Sequence, residues 1–153
     1  MPNNADQAIL EAATRVFETS AFLNMYPSDT SEEIPAPDCA ASMTFYGAAR
    51  GRVTLRVNQE ILVSVVENLL GESCEGPEAE ARKGDALKEL LNMLCGNILT
   101  EYFGTEPIFD LSPPELVDNA TSTVSSQHVQ SLVLNVENTL AEVLFEVQNQ
   151  VNA

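Results

Sequence analysis

The stretch "DALKELLNMLCGNILTEYF", residues 85 to 103, limits the possible folds of this chain more than any other segment. An α-helix turns about 100° per residue. On that wheel Leu87, Leu90, Leu91, Leu94, Ile98 and Tyr102 crowd into one arc, which must be buried. A helix of this length with one apolar face needs a broad apolar surface beneath it. Gly104 ends it. With Asp85 set at zero, Gly96 falls at roughly 20°, Glu89 at roughly 40° and Asn92 at roughly 340°. Two acids, an amide and a glycine thus share one narrow stripe that faces outward. Glycine inside a helix costs about 1 kcal/mol relative to alanine. At Gly96 it would let a partner approach the backbone beside Asn92.

Strands supply the surface. "ASMTFYGAARGRVTLRV" alternates in the manner of a β-hairpin, with Gly47 and Gly51 bracketing the connection. "VQSLVLNVENTLAEVLFEVQ" reads as two more strands, one with Leu132, Leu134 and Val136, the other with Val143, Phe145 and Val147. "FDLSPPELV" is extended, because each proline disfavours helix at the residue before it. Residues 5 to 25 suggest a first helix, with Ile9, Ala12, Ala13, Val16, Phe17 and Leu23 at helical spacing. "YPSDTSEEIPAPD" follows as a surface loop. Asn58 is placed to cap a helix through residues 59 to 70, which Gly71 stops. "ESCEGPEAEARKG" is acidic and aperiodic, so a loop is expected there. The order is one helix, two strands, two helices and about three strands. This indicates an α+β domain, a mostly antiparallel sheet with helices packed on one face. Its 153 residues suit a single domain spanning 1–153.

Charge narrows the choice of partners. With 23 acidic against 7 basic residues, net −16, the chain lacks the basic stripe that nucleic acid or an anionic membrane requires. No stretch approaches the roughly 20 apolar residues of a membrane helix, and no secretory leader is recognised at the N-terminus. Cys39, Cys74 and Cys95 are odd in number, with no C-x-x-C. That favours neither a disulfide framework nor a zinc site and fits a reducing cytoplasm. The single histidine, His128, is expected in a polar turn.

Spacing alone does not make the stripe a site. With 17 Glu and 12 Asn in 153 residues, chance gives about 1.3 copies of Glu-x-x-Asn, and two are present. The second, Glu146 to Asn149, ends a predicted strand, where an offset of three puts the side chains on opposite faces. Only the copy at Glu89 and Asn92 presents both groups together.

The pattern resembles the CheC/CheX family of chemotaxis phosphatases, its CheX branch most closely. Asp85, Glu89 and Asn92 match the family motif in type and spacing. The motif's proline would fall at position 115, where Glu115 stands, with Pro114 just before it. A one-residue loop deletion accounts for the offset. The hairpin, the helix pair and the closing strands follow the family's order from about residue 40 onward. In the helix at 59 to 70, Glu67 is followed three residues later by Leu70, so only one motif is intact, as in CheX.

The resemblance implies an aspartyl-phosphate phosphatase acting on a phosphorylated CheY-like response regulator. Asn92 would orient water, and Glu89 would pair with a lysine of the regulator. Asp85, Gly96 and Pro114 would contact the partner. The chain would bind no metal or cofactor itself; Mg2+ would sit on the regulator. A homodimer is also implied. The alternatives are a non-catalytic CheC-like binding module and a structural relative of the flagellar switch proteins.

Overall fold

The computed structural model describes residues 4–27, 34–118 and 129–148. Among these residues seven strands form one sheet in the order β1-β6-β7-β3-β2-β4, with β5 also pairing the outer edge of β2. All pairings are antiparallel. The strands are β1 (Met25–Pro27), β2 (Cys39–Gly47), β3 (Arg50–Val57), β4 (Phe109–Leu111), β5 (Glu115–Val117), β6 (Val129–Val136) and β7 (Thr139–Gln148). The helices are α1 (Ala5–Ala13), α2 (Glu60–Val65) and α3 (Ala79–Phe103).

Alternation decides which face is the core. Met43 lies opposite Val53, and Val53 opposite Phe145, and all three are buried. They join Ile9, Phe17, Leu87, Leu91 and Ile98 in one cluster, so α1 and α3 pack on this face. Gly51 lies within β3, opposite Phe45, and not in the connection. A side chain there would run into the Glu146 carbonyl and come 2.6 Å from the Phe45 ring, so the hairpin depends on glycine at that point.

Several boundaries differ from the sequence reading. The first helix is regular only to Ala13, with Asn4 capping it through Gln7 N–H at 3.2 Å. Thr14–Ser20 continue as a wider π-helical coil. Phe22 then turns with φ +58°, which buries Leu23 and sends Met25–Pro27 into the sheet beside β6. Tyr26 and Pro27 therefore belong to a strand, not to the expected loop. The second helix also widens, over Val66–Leu70, and stops at Gly71 in the left-handed conformation. Gln59 occupies the cap position without a side-chain bond to the helix. Asn58, the expected cap, stands one residue earlier, its side-chain oxygen accepting from Glu60 N–H at 3.0 Å. The motif helix begins at Ala79, inside the segment read as loop. Its extra turns are good helix formers joined by the pairs Arg82–Glu78 and Lys83–Glu80, both 3.2 Å. Apolar periodicity does not register such a polar start. "FDLSPPELV" is extended as expected, but as two short strands. His128 and Asn149 lie outside the described residues.

Candidate functional site

Helix α3 holds the stripe from beneath and from its far end. Ala86, Leu87, Leu90, Leu91 and Leu94 are all at most 1% exposed, so the helix cannot roll without opening the core. At its C-terminal end Tyr102 meets Phe145 at 5.1 Å, and Phe103 meets Phe109 of β4 at 5.1 Å. Phe45 packs edge-on against Phe109 at 5.7 Å. These aromatic contacts lock β4 to both the sheet and the helix.

The chain then runs back along the helix. Ser112 N–H donates to the Thr44 carbonyl at 2.9 Å, and Thr44 N–H donates to Ser112 Oγ at 2.8 Å. This double link pins Ser112 to β2 and fixes the start of the Pro113–Pro114 step. The result is an open cleft of about 380 Å³ lined by Asp85, Lys88, Glu89 and Asn92 on one wall and Leu111, Ser112, Pro113 and Pro114 on the other.

Four of the sequence candidates thus meet in one place: Asp85, Glu89, Asn92 and Pro114. The fifth, Gly96, lies on the same helix outside the cleft, and a methyl group there would meet nothing within 4 Å. Asp85, Glu89 and Asn92 are exposed. Among the described residues none of the three side chains has an internal hydrogen bond or ion pair. By contrast, Asn97 on the same helix spends its amide on the Met93 carbonyl at 2.8 Å. Glu115 begins β5 opposite Ser42 of β2 and is not among the residues that line the cleft, whereas Pro114 lines it beside Pro113.

Lys88, Leu111 and Ser112 were not singled out by the sequence reading. A signal for Lys88 existed, since it lies three residues after Asp85 and four before Asn92, within reach of the same face. Leu111 and Ser112 carried none, because their place depends on how β4 docks.

Other chemistry is poorly supported. Burial pushes the Cys95 thiol up to about 12. Burial, then the neighbouring Asp38 charge and hydrogen bond, raises Cys39 to about 12. Neither is a thiolate nucleophile near neutral pH. Among the described residues no three His, Cys, Asp or Glu side chains gather to hold a metal, and no helix is long and apolar enough to cross a membrane. A second depression near Asp38, Gln59, Glu80 and Lys83 has its polar groups engaged: Gln59 N–H donates to Asp38 at 2.8 Å, and Lys83 pairs with Glu80 at 3.2 Å. The second Glu-x-x-Asn copy offers no comparable site among the described residues, since Glu146 is buried in β7 opposite Arg52.

The family model for the chemotaxis phosphatase CheX matches residues 39–137, which include the whole cleft. This chain belongs to the CheX family. The CheX fold accounts for nearly all of it. A CheX structure from Desulfovibrio desulfuricans superimposes with a TM-score of 0.73 at 17% identity, covering 94% of this chain and 99% of that one. CheX from Vibrio vulnificus gives 0.71 at 20% identity, covering 95% and 97%. The CheX of a Borrelia burgdorferi CheX–CheY–BeF3–Mg2+ complex gives 0.68 at 18% identity, covering 95% and 99%. No curated protein sequence matches the chain.

Proposed function

We propose that this CheX-family chain hydrolyses the aspartyl phosphate of a CheY-like response regulator. The observation that carries the reading is the pair Glu89 and Asn92: both exposed, both without internal partners among the described residues, on a buried-backed helix and facing Pro114 across one cleft. Family membership and the Borrelia complex of a CheX with CheY support the partner class.

An acyl phosphate is already activated, so positioning and electrostatics suffice. The Asn92 amide both donates and accepts, and it orients a water in line with phosphorus without bringing a charge that would repel the phosphoryl group. The water oxygen bonds to phosphorus as the bond to the aspartyl oxygen breaks. The aspartate leaves as a carboxylate, and inorganic phosphate carries away the water oxygen, its proton passing to solvent. Glu89 pairs with a regulator lysine and sets the docked register; Asp85 and Pro114 border the contact. Magnesium is held by the regulator and neutralises phosphoryl charge there. The free thiols of Cys39, Cys74 and Cys95 suit action in the cytoplasm.

The test is to mix the chain with phosphorylated CheY-like regulators and Mg2+ and follow phosphate loss. The unaltered chain accelerates it. Asn92→Ala abolishes the acceleration while retaining binding, since an interaction made in the transition state appears in turnover more than in affinity. If Asn92→Ala works at the unaltered rate, the mechanism is wrong and a binding module takes its place.

A further inference from the structure

We infer that Lys88 is a docking and specificity residue whose ammonium group pairs with a carboxylate on the regulator, beside the phosphorylated aspartate. This rests on the function proposed above and adds a residue outside the Asp85, Glu89, Asn92 motif. Basic residues are scarce, at 7 against 23 acids. Most are engaged within the chain: Arg15 with Glu101, Arg56 with Glu142, Arg82 with Glu72 and Glu78, Lys83 with Glu80. Arg50 and Arg52 are exposed on β3, far in sequence from the motif, with Arg52 opposite Glu146. Lys88 differs. It is half-buried and lines the cleft, and among the described residues it has no ion pair, although Asp85 stands one turn before it.

The stem of Lys88 is half-buried along the helix, and an ammonium held at the cleft by such a stem is placed to meet a charge brought by a docking partner. The occupant that fits is a carboxylate. A surface that holds magnesium does so through carboxylates, so acids belong beside the phosphorylated residue. Helical side chains lean toward the N-terminus, which favours contact at the Asp85 end of the cleft over contact with the phosphoryl group at Asn92. Asp85, Lys88 and Glu89 then read as minus, plus, minus, and the matching regulator must present the opposite signs. A regulator with a basic residue opposite Lys88 is rejected by like-charge repulsion.

The experiment uses the full chain and its Lys88→Ala, Lys88→Glu and Lys88→Arg variants. It measures association with beryllofluoride-activated CheY-like regulator and single-turnover phosphate loss at saturation. Loss of a rim charge acts mainly on association rate and its salt dependence, so Lys88→Ala slows association about threefold and Lys88→Glu about tenfold. Lys88→Arg restores it, high salt erases the differences, and the saturated rate and melting temperature stay unchanged. Unchanged association by Lys88→Glu overturns the inference, as does a fall in saturated rate with association intact. If the unaltered chain binds but does not dephosphorylate, the phosphatase reading fails, while the association data still decide Lys88. If it binds no regulator, both fail.

Discussion

Glu89 and Asn92 sit on adjacent turns of one helix, yet their substitution is expected to separate binding from turnover. In the proposed mechanism Asn92 acts on a neutral water, so its loss is expected to leave the docked complex intact. Glu89 is proposed to act on a charge across the interface. Truncating one partner of a desolvated charge pair commonly costs about 2–5 kcal/mol. Glu89→Ala and Glu89→Lys are therefore expected to weaken complex formation as well as turnover, with the lysine variant worse because it reverses the sign. Titration calorimetry alongside single-turnover kinetics checks this. A Glu89→Lys variant that binds like the unaltered chain would remove the charge pair from the account.

At the scale of the element, α3 carries two conflicting demands at Gly96. As a helix interior position it favours alanine by about 1 kcal/mol, and the structure leaves open space for the methyl group. Gly96→Ala is expected to raise the melting temperature by about 2–4 °C. If a partner's surface comes close to the backbone there, the same methyl group obstructs docking, so regulator affinity is expected to fall as stability rises. Thermal melts and a binding isotherm on the same variant measure both. Rising stability with unchanged affinity would leave Gly96 outside the contact, in keeping with its position beyond the cleft.

For the whole molecule, the two edges of the sheet are unlike. On one side β4 and β5 are separated by Pro113 and Pro114, which lack the N–H groups a neighbouring strand needs, and this edge borders the cleft. On the other, β1 has no outer neighbour among the described residues, with Tyr26 55% exposed and Phe22 nearby at 71%. A homodimer joined at β1 would cover apolar rings and leave both clefts free. Light scattering at micromolar concentration is expected to find twice 16.6 kDa, and Tyr26→Asp with Phe22→Asp to return the monomer. A monomer from the unaltered chain would end this expectation.

The sequence by itself determined the α+β class, the buried side of α3 and the outward stripe of Asp85, Glu89 and Asn92. All of these follow from local periodicity, because a wheel or an alternating strand encodes its own faces. Periodicity could not show that α3 begins at Ala79, since its first turns are held by ion pairs and not by apolar spacing. Nor could it show the break at Phe22, where one residue at φ +58° turns an expected helix end into a strand. The opposite wall of the cleft was a tertiary decision. Pro114 lines the same cleft as Asn92 because aromatic contacts clamp β4 onto α3 and because Ser112 pairs with Thr44, a residue far away in the chain. The spacing of Lys88 from Asp85 and Asn92 was legible in the sequence. That it has no ion pair among the described residues was decided only by folding, which gave Arg15, Arg56, Arg82 and Lys83 their partners.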